Sequence, residues 1–87
     1  MYKIVYRKQT LKDIPKLKSS GLDVKVKSLI EIIKNYPFQT PPTYEKLIGD
    51  LEGAYSRRIN IQHKLVYQVY KKEKTIKILS MWSHYEN

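Results

Sequence analysis

Cysteine is absent from these 87 residues, so neither a disulfide framework nor a thiolate metal site holds the chain together. The opening residues "MYKIVYRK" lack the apolar run of a signal peptide, and no stretch approaches the ~20 apolar residues that a membrane span requires. Glycine is scarce, and no P-loop, glycine-rich dinucleotide turn or Gly-x-Ser-x-Gly elbow occurs. Carboxylates are few and scattered, and with only two histidines they give no spacing that resembles a metal site. These absences predict a soluble, cytoplasmic protein with no membrane contact, folded as one domain over residues 1–87, without cofactor or metal.

What the chain does have is positive charge. Seventeen Lys and Arg stand against eight Asp and Glu, a formal net charge of +9, which favours an anionic partner. Fourteen of these cations are Lys spread along the sequence, so a solubilising surface explains them about as well as nucleic-acid binding does. Eight tyrosines shift the balance slightly, because aromatic faces beside cations stack on unpaired bases.

The hydrophobic period divides the chain in two. "YKIVY" has the composition of a strand, and Thr10 followed by Asp13 reads as a capping box before Leu11, Ile14 and Leu17. Pro15 lacks an amide proton and clashes with the preceding turn, so this first helix is expected to kink or start late. Gly21 reads as its stop and Asp23 as the next cap, ahead of a stripe of Leu22, Val26, Leu29, Ile30 and Ile33 at helical spacing. Pro37 ends that helix, and three prolines in "PFQTPPTYEK" predict an extended loop over 37–44.

After Gly53 the period becomes two. "AYSRRIN", "HKLVYQVY" and "TIKILSMW" predict three strands in an antiparallel meander, with the N-terminal strand joining the same sheet. The fold class expected is α+β: a twisted, mainly antiparallel four-stranded sheet with two N-terminal helices on one face. Alternation sends Leu65, Tyr67 and Val69 beneath the helices and Lys64 to the open face. A three-residue connection over Ile61 to His63 would pair Asn60 with Lys64 and Arg58 with Val66, placing Arg58 on the open face; a slip of one residue would substitute Arg57.

Without a metal or nucleotide motif, proton transfer near neutral pH is the chemistry left. His63, beside the turn, reads as an ordinary surface histidine, while His84 lies in "WSHYEN". Cleaving RNA by attack of the ribose 2′-hydroxyl needs a base for that hydroxyl, a cation for the crowded phosphorane and an acid for the departing 5′-oxygen. On composition, Glu45, Asp50 and Glu52 are equal candidates for the carboxylate base.

The segments "PF" at Pro37 and Phe38, "YEKLIGDLEGAYSRRINIQHKLVYQV" and the closing "SHY" resemble the YoeB/Txe family of bacterial toxins, within the RelE-like superfamily. The resemblance is distinctive from Pro37 to Val69 and again at His84 and Tyr85. It implies a RelE-like fold and a ribosome-dependent endoribonuclease that cleaves mRNA, neutralised by a YefM-like antitoxin and able to form a homodimer. It also implies roles: Glu45 as base, Arg58 and Lys64 as phosphate cations, and His84 as acid with Tyr85 beside it. Ser56, Arg57 and Lys46 become the adjoining RNA contacts. Two departures stand out. Lys64 replaces a frequent Arg, keeping the charge but losing the planar two-pronged fork, and Glu86 and Asn87 follow the Tyr at which many relatives stop. The alternative is a non-catalytic RelE- or ParE-like toxin that binds nucleic acid, ribosome or gyrase without cutting.

Overall fold

A computed structural model describes residues 1–49 and 53–83 of the chain. The elements run β1 (Lys3–Tyr6), a 3-10 helix (Lys8–Asp13), α1 (Ile14–Ser20), α2 (Asp23–Asn35), β2 (Tyr44–Lys46), β3 (Ala54–Arg58), β4 (Lys64–Tyr70) and β5 (Thr75–Ser83). One sheet takes all five strands in the order β1-β5-β4-β3-β2, antiparallel except where β1 runs parallel to β5. The α+β class with helices on one face is as the sequence indicates, and the sheet has one strand more than expected. That strand is β2: the proline-rich loop ends at Thr43, one residue short of the expected bound, and Glu45 stands on an edge strand.

The first helix does start late. The Thr10 hydroxyl donates to the Arg7 carbonyl, and Asp13 Oδ2 accepts from the Met81 amide, so neither side chain caps a helix as a capping box would. The 3-10 segment absorbs the misfit, and the α-helix begins with Pro15 in its first turn, where a missing amide proton costs nothing. Gly21 closes α1 at φ 75°, its amide donating to the Leu17 and Lys18 carbonyls. Asp23 lies inside the first turn of α2, and Leu22 occupies the cap position with no side-chain bond. There the carboxylate complements the helix dipole without capping an amide.

Val26, Leu29 and Ile33 of α2 and Leu17 of α1 are buried against Leu65, Tyr67, Ile76, Ile78 and Met81 of the sheet. The expected stripe is therefore the buried one, with Leu22 and Ile30 at its margins. The hairpin between β3 and β4 differs from expectation in register. Arg58 pairs with Lys64, Ser56 with Val66, and the connection spans five residues from Ile59 to His63. Asn60 explains the longer turn: its Oδ1 accepts from the amides of both Gln62 and His63, fixing a local loop. The shift is by two residues, so side-chain parity survives and Arg58 keeps its face.

Candidate active-site depression

The face of the sheet away from the helices presents the residues that pair across β2, β3 and β4. Glu45 pairs with Ser56, Ser56 with Val66, and Arg58, two residues along β3 from Ser56, pairs with Lys64. Residues that pair, and residues two apart on a strand, point the same way. The result is a depression of about 380 Å³ lined by Pro42, Thr43, Glu45, Ser56, Arg58 and Lys64. Ser56, 2 % exposed, lies at its base, while Glu45 and Arg58 are exposed at its rim.

Its electrostatics follow from the register. Arg58 and Lys64 are directly opposed cations, an arrangement unfavourable in itself and relieved by an anion between them. Glu45 is a diagonal neighbour of Arg58, roughly 7–8 Å away between backbones, a distance that long side chains span. A carboxylate and two cations thus converge on one open concavity. Such a concavity can seat an anionic group between the cations, with a proton acceptor on the same face.

Of the other expected RNA contacts, two lie elsewhere. Lys46 is exposed but, one residue from Glu45 on β2, it projects to the opposite face. Arg57 is 1 % exposed and is a structural residue rather than a surface contact. Its Nε donates to the Tyr67 hydroxyl at 3.0 Å, and its terminal nitrogens donate to the carbonyls of Pro37 and Pro42. The guanidinium also lies 5.1 Å from the centre of the Tyr44 ring. Its fork therefore ties both ends of the proline loop to the sheet, and that loop supplies Pro42 and Thr43 to the depression. Tyr67 completes the knot by donating to Pro37 at 3.0 Å. Burial pushes its phenol above the ordinary 10.0, with the Arg57 hydrogen bond and charge opposing that shift. Neither role is readable from sequence, because the partners, the Tyr67 hydroxyl and two main-chain carbonyls, are distant along the chain.

His63 is not the surface histidine expected. It is buried, and its ring stacks on Trp82 with centroids 3.8 Å apart. The strand carrying Trp82 is irregular: β5 has two register shifts against β4 between Lys64 and Tyr67, and Ser83 comes to pair with Lys64. His84, Tyr85, Glu86 and Asn87 lie outside the described residues, as do Asp50 and Glu52. Among the described residues no group of three His, Cys, Asp or Glu is placed to hold a metal ion.

Comparison with known proteins matches residues 6–85 to the family described as YoeB-like toxin of bacterial type II toxin-antitoxin system. Toxin YoeB of Synechocystis sp. is 36 % identical over 62 residues, covering 71 % of this chain and 70 % of that protein. Staphylococcus aureus YoeB superposes with a TM-score of 0.80 in its complex with YefM, at 32 % identity over 98 % of this chain and 99 % of that one. The same protein solved as a dimer gives 0.81 at 32 % identity, over 97 % and 98 %. A YoeB/ParE toxin from Agrobacterium tumefaciens gives 0.86 at 28 % identity, over 95 % and 99 %.

Proposed function

The chain belongs to the YoeB-like toxins of bacterial type II toxin-antitoxin systems, and from that premise we propose that it is an endoribonuclease cleaving mRNA on the ribosome. The observation that carries the reading is the depression in which Glu45, Arg58 and Lys64 meet over Ser56. Glu45 removes the proton from the ribose 2′-hydroxyl, whose oxygen attacks the adjacent phosphorus. Arg58 and Lys64 stabilise the extra negative charge of the phosphorane, a contribution that in comparable sites is worth roughly 10²–10³ in rate. His84 protonates the departing 5′-oxygen, with Tyr85 beside it, leaving a 2′,3′-cyclic phosphate and a free 5′-hydroxyl. His84 is the next residue in sequence after Ser83, whose backbone pairs with Lys64 at the depression. This adjacency supports the assignment of the acid.

A YefM-like antitoxin is the partner we assign, as in the S. aureus complex, and a homodimer the assembly, as in the S. aureus dimer. A chain of net charge +9 suits an acidic, disordered antitoxin segment laid over it.

The test is mapping of RNA ends on translated mRNA with purified protein. Wild type should give cuts in the message held by ribosomes, and Glu45→Gln should reduce them by about 10²–10⁴, the usual worth of a general base. Undiminished cutting by a folded Glu45→Gln protein would reject Glu45 as base. Ribosome stalls without new ends, or trapped gyrase-DNA complexes, would favour a toxin that binds without cutting.

A further inference from the structure

On the helix side of the sheet, beyond the helices themselves, β2 and β3 carry a second concavity that the reaction leaves unused. Phe38, Thr40, Tyr44, Lys46, Tyr55 and Lys71 line it, and its volume is about 540 Å³. We infer that this cleft is a nucleotide subsite, in which an unpaired base of the substrate RNA stacks on Tyr44 while Lys46 and Lys71 hold the adjoining phosphate.

Three observations carry this. First, the rings form a cluster with centroids of Phe38, Tyr44 and Tyr55 within 5.0–5.8 Å of one another, yet they meet tilted or edge to face. They do not close into parallel stacks, and all three still line the cleft. Second, Tyr44 holds the buried Arg57 guanidinium 5.1 Å from its ring centre. The same tyrosine lines the cleft, and a ring polarised by a cation is suited to an electron-rich base. Third, the charged groups of the lining are two exposed lysines, with no carboxylate among them, and Lys71 Nζ lies 5.2 Å from the Phe38 centroid. Aromatic faces interleaved with cations are the chemistry of single-stranded nucleic acid binding, in contrast to an aliphatic groove suited to a peptide.

The occupant is the same strand that enters the depression, because only the three-residue edge strand β2 separates the two. Glu45 looks into one concavity, and its neighbours Tyr44 and Lys46 look into the other. A strand rounding that edge places a flanking nucleotide in the cleft. The inference rests on RNA being the substrate, and it adds a grip outside the reacting linkage.

The experiment is equilibrium binding of non-cleavable 2′-deoxy-substituted oligonucleotides to the full chain, one of two nucleotides and one of about eight, within the usual site sizes of single-strand binders. Wild type should bind the longer one more tightly. Tyr44→Leu and the double change Lys46→Glu with Lys71→Glu should each remove that advantage, a loss of about tenfold, and Tyr44→Phe should restore it. The lysine changes should also flatten the dependence of log Kd on log salt by about 0.7, from the one phosphate they hold. Circular dichroism confirms that each variant is folded. Equal affinities and salt slopes in wild type and variants, while wild type still cuts translated mRNA, would overturn the cleft and leave the nuclease reading standing. Cleft-dependent binding by a protein that makes no cuts would do the reverse. Variants that bind the oligonucleotide normally but lose ribosomes, antitoxin or the second copy would assign the cleft to that partner and overturn the inference.

Discussion

Each of the paired arginines at 57 and 58 does a different task because a strand sends neighbours to opposite faces. Arg58 meets solvent beside Lys64, and Arg57 is sealed in with three oxygen acceptors. Lys64→Arg should raise kcat/KM for mRNA cleavage by roughly fivefold, since a planar fork adds one more hydrogen bond to phosphate, worth about 1 kcal/mol; unchanged single-turnover rates would show that only the charge matters. Inside the sheet, Tyr67→Phe deletes a hydroxyl that both donates and accepts, and should cost about 1–3 kcal/mol in urea unfolding. The sign of its pH effect is fixed. The folded phenol has a raised pKa, so the folded state holds its proton more tightly, and the stabilisation present below pH 10.0 is lost as pH rises through the folded value. Wild type should therefore lose more stability than Tyr67→Phe above about pH 10; parallel curves for the two would refute it.

Elements show where local chemistry decides structure and where packing does. Gly21 ends α1 at φ 75°, and an added Cβ would meet no atom within 4 Å, so Gly21→Ala should cost about 1 kcal/mol from backbone strain alone. Thermal unfolding unchanged by that substitution would show that the cap is dispensable. The α2 stripe and the three C-terminal strands were legible in sequence because each repeats its period over several residues with turn residues between. The strand β2 was not, because three residues after a proline loop hold no period, and it exists through pairing with β3. The register was off by two because it depends on the side chain of Asn60 accepting two amides, which alternation does not encode. Of the candidate site, Glu45, Ser56, Arg58 and Lys64 share a depression, an arrangement that survived the register error through parity. Arg57 and Lys46 left it through the same parity. The family motif pointed to the residues, and pleating sorted them between the two faces.

At the scale of the molecule, the sheet separates the face that the helices cover from the face that carries the depression. The helices bury the aliphatic core on one side, no helix among the described residues is long and apolar enough to cross a membrane, and the cations at the depression stay wet. Sheet order places β5 between β1 and β4, so Lys3 pairs with Thr75 and Tyr6 with Ile78 across most of the chain. Such distant pairing makes folding slow relative to a helical domain and dependent on a single strand. A fragment ending at Lys74 should thus show no cooperative unfolding and no growth arrest on expression; a folded, active fragment would contradict this.

That strand order also bears on how such a toxin meets its own message. A transcript severed anywhere upstream of codon 75 encodes a product lacking the strand that both its neighbours require. If the proposed cleavage reaches that transcript, the polypeptide made from it lacks β5, and the poison limits its own supply.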